Sequence, residues 1–224
     1  MPSASAIPTG DGPRRYRSPR RAQQAEQTRN EIITAATRLF TANGWAATGM
    51  RDVAREAGVA TETVYAHFAS KTGLLQRAMD VAVVGDVAPV ALAERPEFAA
   101  LAQGPRADRI AAAARLLTEV NQRTSGFAKV LREAAPTDPV IAEMLHAARE
   151  RIRVDIASGA AAVMGRKPTR LERDGLWALL SVEVYLLLVE ESGWSIRQYR
   201  TWAAEMLDRE IPYPQQVPIR LRSR

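Results

Sequence analysis

Apolar side chains recur at three- and four-residue spacing along most of the chain, and no stretch alternates with period two, so the fold class predicted is all-α. The first periodic segment covers residues 23–42, with Ile32, Ala36, Leu39 and Phe40 on one face and Ile33 beside them. Thr28 and Glu31 have the spacing of a capping box, and Asn43-Gly44 ends the segment. Trp45 follows as a plug for the small core. Two short segments come next, residues 50–57 and 61–68, joined by Gly58-Val59. Val53, Ala54 and Ala57 share a face of the first, and Val64 and Phe68 lie four apart on the second. Gly58 suits the left-handed backbone at a helix C-terminus, and Val59 is a turn residue tucked inward. Ser70 caps a fourth helix whose first residue is Lys71 and which runs through Leu74, Leu75 and Ala78 to residue 84.

Residues 85–105 hold Pro89, Pro96, Gly104 and Pro105, and are read as an irregular connector with one helical turn near Phe98. Helices are then predicted at 106–124 (Ile110, Ala113, Leu117, Val120 on one face) and at 126–135 (Phe127, Val130, Leu131). Asp138-Pro139 is a strong helix start, an N-cap followed by proline at the first helical position. That helix reaches residue 164 with Ile141, Leu145, Ala148, Ile152 and Ile156 buried. Thr169 and Glu172 form a capping box that opens a long helix to residue 191, stopped by Ser192-Gly193. Ser195 caps a last helix with Ile196, Tyr199, Trp202, Ala203, Met206 and Leu207, and Pro212, Pro214 and Pro218 keep the tail extended.

Helix, glycine-containing turn, helix is a helix-turn-helix, here residues 49–68. The arc of the second helix opposite Val64 and Phe68 carries Thr61, Glu62, Thr63, Ala66 and His67, small and polar as a helix pressed against base edges requires. Tyr65 sits at the boundary, its hydroxyl within reach of a phosphate. Charge sharpens this picture. Residues 1–71 hold 10 basic and 6 acidic side chains, a net +4, while residues 211–224 carry +3 and the 139 residues between them −1. A basic head on a neutral body is the footprint of a protein that meets nucleic acid at one end. Arg14, Arg15, Arg17, Arg20 and Arg21 form a basic arm, read either as a solvated tail or as a reach to phosphates and the minor groove.

Gly44, Thr48, Arg51-Asp52-Val53-Ala54, Gly58-Val59, Thr63-Val64-Tyr65, Phe68, Ser70-Lys71 and Leu74, with Ala35-Ala36 and Leu39-Phe40 upstream, resemble the N-terminal domain of the TetR family of bacterial transcriptional regulators. The likeness covers roughly residues 26–80. It implies a three-helix DNA-binding head, a helical body and a homodimer. On it, Thr48, Arg51, Thr61, Glu62, Thr63, Tyr65, His67 and Lys71 are the candidate DNA contacts. Two positions depart from the family pattern. Ala60 stands where a capping serine is common, leaving Thr61 to cap the recognition helix. Glu62 puts a negative charge on the DNA-facing arc, where it repels phosphate but accepts from a cytosine amino group.

The segment 169–191 is apolar nearly all round, and such a helix must be covered on every side. One face is covered by the chain's own helices, and the other implies a second copy. Leu180, Val184, Leu187, Leu188, Ile196, Tyr199, Trp202 and Met206 are the candidate dimer interface, a four-helix seam that also matches the family resemblance. Glu183, flanked by apolar residues, needs a partner or a raised pKa. It is read as pairing with an arginine across the seam, capping a polar contact or facing a ligand. The resemblance further implies a ligand cavity among the middle helices, with Phe127, Leu131, Met144, Ile152, Trp177 and Tyr185 as candidate lining or, equally, plain core. Trp177, Val184-Tyr185, Glu191, Gly193-Trp194-Ser195, Tyr199 and Trp202 resemble a C-terminal pattern of actinobacterial members of the family.

Chemistry is otherwise sparse. There is no cysteine and there are two histidines, His67 and His146, so thiol catalysis, disulfides and a cysteine metal site are excluded. No glycine-rich phosphate loop, metal-ligand cluster or nucleophile elbow is found, and no catalytic residue, metal or cofactor is assigned. No apolar run approaches the roughly 20 residues that span a bilayer, the N-terminus lacks the apolar core of a secretory signal, and a cytoplasmic location is expected. The expected organisation is a disordered basic arm (1–21), a DNA-binding domain (22–80), an effector-binding and dimerisation domain (81–210) and an extended basic tail (211–224). The function read is a dimeric repressor of a palindromic operator that responds to a small apolar or amphipathic effector. A DNA-binding regulator with no effector, controlled by a partner or by abundance, is the alternative.

Overall fold

The computed structural model describes residues 19–88 and 90–211. Arg14, Arg15, Arg17 and the tail beyond residue 211 lie outside the described residues. The described residues form ten α-helices with short 3-10 and π-helical turns and contain no strand. The first four helices make the head: α1 (Pro19–Asn43), α2 (Met50–Glu56), α3 (Thr61–His67) and α4 (Lys71–Val84). A connector carries 3-10 turns at Leu92–Glu94 and Ala100–Ala102 around α5 (Pro96–Ala99). The body comprises α6 (Arg106–Ala134), α7 (Pro139–Met164), α8 (Arg170–Leu179), α9 (Val182–Tyr185), a π-helical turn (Leu186–Glu191) and α10 (Ile196–Glu210).

Helix α1 begins earlier than periodicity predicts. Pro19 occupies its first position, where the missing N–H costs nothing, and Arg20 and Arg21 are helical rather than part of a disordered arm. Thr28 and Glu31 therefore lie inside the helix and cap nothing; Glu31 accepts instead from Gln27 at 3.0 Å.

Two helices predicted as separate are one. Helix α6 runs unbroken through Gly126. The glycine is there for space: a Cβ would lie 2.7 Å from Thr41 Cγ2, so α6 and α1 approach each other at this point. The opposite correction applies further on. The predicted helix 169–191 is interrupted at Leu180-Ser181, where Ser181 takes extended backbone and caps α9. Val184 N–H bonds Ser181 Oγ at 3.3 Å, so the Leu180 carbonyl lacks its helical donor. Asn121 Nδ2 from α6 donates to that carbonyl at 3.2 Å, satisfying a group whose burial alone would cost free energy.

The core has two parts. The head cluster gathers Ile32, Ile33, Ala36, Phe40, Val53, Val64, Phe68 and Leu74, and it is completed by Phe127 and Leu131 of α6 and Ile141 of α7. The head thus does not close on itself. It borrows three body side chains, each worth about 1.5–3 kcal/mol when buried. The second cluster centres on Ile110, Val163, Leu176, Tyr185, Tyr199 and Leu207. Helix α4 belongs to the head by its core residues and meets the body at its end. Gly85 takes φ 90°, and Arg123 of α6 donates to the carbonyls of Ala82 (2.8 Å) and Val83 (3.0 Å). Those are carbonyls of the last turn, which have no helical partner of their own.

Candidate nucleic-acid interface and internal cavity

Helix α3 is set by its two apolar side chains. Val64 and Phe68 are inserted into the head core at 0% and 5% exposure, which turns the other face outward. Glu62, Tyr65 and Ala66 are exposed, and Thr61, Thr63 and His67 are half-buried at the rim of that face. Arg51 of α2 is exposed beside them. The predicted cap is not made. Ala60 is the N-cap residue, in extended backbone with no side-chain bond, and Thr61 is already the first helical residue.

Two predicted contacts point elsewhere. Thr48 is buried, its hydroxyl donating to the carbonyls of Gly44 (2.9 Å) and Leu39 (3.1 Å). It ties the α1–α2 turn and offers no surface. Lys71 opens α4 as expected, but its ammonium folds back, lying 3.9 Å from the Trp45 ring centroid and donating to the Trp45 carbonyl. Burial pushes its pKa down, opposed by the nearby Asp138 carboxylate. Ser70 does cap α4, accepting from Gly73 N–H at 3.0 Å.

Trp45 is a junction as well as a plug. Its ring stacks on Phe40 at 5.9 Å, and its Nε1–H donates to Asp138 Oδ2 at 2.9 Å. Asp138 caps α7 through the N–H groups of Val140 and Ile141. The Trp45 hydrogen bond, with those amides and the Lys71 charge, holds the Asp138 carboxyl below its usual range.

Between α4, α6, α7 and the α8–α9 break lies a cavity of about 210 Å³. Of the predicted lining, Phe127, Leu131, Ile152 and Trp177 face it. Met144 does not; it packs against the head core. Nor does Tyr185, whose ring meets Tyr199 edge-on at 4.9 Å. The cavity also explains why Leu117, Val120 and Ile156, predicted as buried faces, stay partly accessible: they border space rather than another side chain. Helix α4 contributes Gln76, Met79, Asp80 and Val83 to the wall.

Glu183 is not the buried lone carboxylate its neighbours imply. It is about one-third exposed and pairs with Arg149 of α7 at 3.2 Å. Among the predicted interface residues, Leu180 and Tyr199 lie inside this chain's own core at 4% and 0% exposure, so neither is available to a partner. Tyr199 OH is bonded by Asn121 Nδ2 at 3.0 Å, and burial pushes its phenol up to about 12. Leu187 is 51% exposed, and Val184, Leu188, Ile196, Trp202 and Met206 are half-buried.

Comparison with known proteins agrees with the head. The sequence model of the bacterial regulatory proteins of the tetR family matches residues 32–78. The regulator TtgR of Pseudomonas putida is 41% identical over 61 residues, which is 27% of this chain and 29% of that one. The transcriptional activator FasR of Mycolicibacterium smegmatis is 37% identical over 82 residues, 35% of each chain. The match thus spans about a third of these relatives' length. Among solved structures, a TetR-family member from Streptomyces coelicolor superimposes with a TM-score of 0.58 at 24% identity over 84% of this chain and 99% of its own. The multidrug binding protein EbrR, solved with imidazole, gives 0.52 at 23% identity over 94% and 100%. These two likenesses establish the fold across head and body. The helix-turn-helix head is thus similar in sequence to the bacterial regulatory proteins of the tetR family, and the helical architecture of head and body has the fold of these solved structures.

Proposed function

We propose that the protein is a homodimeric transcriptional repressor that binds a palindromic DNA operator and releases it when a small effector occupies the body cavity. The head, residues 22–80, reads the operator through the outward face of α3, with Thr61, Glu62 and Thr63 toward base edges and Tyr65, His67 and Arg51 toward the backbone. Thr48 and Lys71 support this face from behind. The body, residues 81–210, holds the effector and the partner. Leu187, Val184, Leu188, Ile196, Trp202 and Met206 form the dimer face, which sets two recognition helices on successive turns of one DNA face.

The observation that carries the reading is the double membership of α4. Leu74 and Leu75 lie in the head core, while Gln76, Met79, Asp80 and Val83, on the same short helix, wall the cavity. A ligand that favours one position of α4 favours one spacing of the heads, by as much as its affinities for the two differ. Selection of bound duplexes from a random pool tests this. Inverted repeats are the expected product, and an asymmetric site with no internal symmetry would overturn the dimeric reading.

A further inference from the structure

The bend at Leu180-Ser181 has no local cause. Neither residue is proline or glycine, and the segment 169–191 has the apolar pattern of one helix, yet Ser181 takes ψ 155°. Sequence and structure disagree where the backbone has a choice of partners. In the bend, Val184 N–H bonds Ser181 Oγ at 3.3 Å, and the Leu180 carbonyl accepts from Asn121 Nδ2 of α6 at 3.2 Å. In an unbroken helix the same Val184 N–H bonds the same Leu180 carbonyl, four residues back. Neither arrangement leaves that carbonyl unpaired, and Asn121, buried at 6% exposure, supplies a bond that only the bend contains. Helix α8 hangs between this bend and Gly165, the residue of left-handed backbone (φ 70°) that ends α7. Of its ten residues only Leu176 is buried, and Leu171 is 85% exposed. Arg153 of α7 ties it from outside, donating to Asp174 at 3.0 Å and lying 5.0 Å from the Trp177 ring centroid. Trp177, Leu180 and Ser181 also wall the cavity.

We propose that Ser181 is a two-state hinge and that Asn121 is the latch that holds it bent. In the second state Val184 N–H returns to the Leu180 carbonyl, residues 170–185 join into one helix, and α8 swings away from the cavity it walls. The hinge is a property of the empty chain. Only the use of the opening as a way into the cavity rests on the effector reading above.

The chain has no cysteine, so spin labels go only where a cysteine is placed. Leu171→Cys on α8 and Arg115→Cys on α6, both at exposed positions, report the position of α8 by double electron–electron resonance. An excess of unlabelled chain removes distances between chains. One distance should dominate when the hinge is otherwise unaltered. Asn121→Ala should raise a second distance about fivefold, the worth of one hydrogen bond. Adding Val182→Pro should abolish it, because proline suits the first position of α9 and the extended Ser181 before it but not the inside of a joined helix. Ser181→Ala deletes the α9 cap, leaves Asn121 in place and should also raise the second distance; it serves if circular dichroism shows that Asn121→Ala does not fold. In whichever of the two is used, an unmoved distribution overturns the hinge and leaves the cavity reading intact. A second distance that survives Val182→Pro overturns it as well, because α8 has then loosened without joining α9.

Discussion

The indole N–H of Trp45 donates to the Asp138 carboxylate at 2.9 Å across 93 positions of sequence. Trp45 lies in the turn between α1 and α2, directly before the helix-turn-helix, and Asp138 is the residue on which α7 begins. One carboxylate therefore caps a helix that lines the cavity and anchors the turn that precedes the reading head. With Arg123 holding the end of α4, the head is tied to the body at both ends of α4.

Removing only the indole N–H tests that tie. Trp45→Phe keeps an aromatic ring on Phe40 and takes the donor from Asp138. The Asp138 carboxyl is held below its usual range, so its contribution is full above the ordinary carboxylate pKa of 3.8 and is lost as pH falls through the lower folded value. The variant should melt below wild type at neutral pH, and the difference should close in acid. A gap in melting temperature that persists unchanged in acid would show that the loss is one of packing alone.

Helix α3 lacks a side-chain cap at Ala60, whose backbone is already in the extended conformation a capping serine uses. Ala60→Ser is expected to stabilise the protein by about 1 kcal/mol. Urea denaturation measures this, and a serine that leaves the midpoint unchanged would mean its hydroxyl stays with water.

At Gly126 the two helices leave no room for a methyl group. Gly126→Ala gains about 1 kcal/mol of helix propensity but overpacks against Thr41 at a cost of about 1–3 kcal/mol, so a net loss is expected. Adding Thr41→Ala should recover part of that loss. Additive effects of the two changes would contradict the contact.

The buried Tyr199 is held neutral. Its folded pKa of about 12 lies above the ordinary value of 10.0, so its stabilisation is full below the lower figure and fades between the two as pH rises. Tyr199→Phe removes the oxygen that accepts from Asn121 and should cost about 1 kcal/mol. In an ultraviolet titration of tyrosinate, the last step should vanish in this variant.

What was legible in the sequence was local. Apolar spacing and caps placed α2, α3, α4, α7 and α10 to within a few residues, because Ser70, Asp138 and Ser195 satisfy amides of their own helices. The errors came where distant groups decide. Gly126 read as a break because nothing nearby shows that Thr41 comes within a methyl radius. Leu180-Ser181 read as continuous helix because the donor that relieves its open carbonyl, Asn121, lies 59 positions away. For the site the pattern is the same. The outward face of α3 followed from Val64 and Phe68, whereas Thr48 and Lys71 are spent on carbonyls of the α1–α2 turn.

Two copies are expected to read one palindrome through α3, and fluorescence anisotropy of a selected duplex titrated with protein at several salt concentrations measures this. Two chains per duplex are expected, with log affinity falling linearly and steeply against log salt as phosphate contacts release counterions. In the same assay Tyr65→Phe should weaken all duplexes about equally, while Glu62→Gln should change which base is preferred. One chain per duplex at full affinity, or binding indifferent to salt, would contradict a paired reading through phosphate contacts.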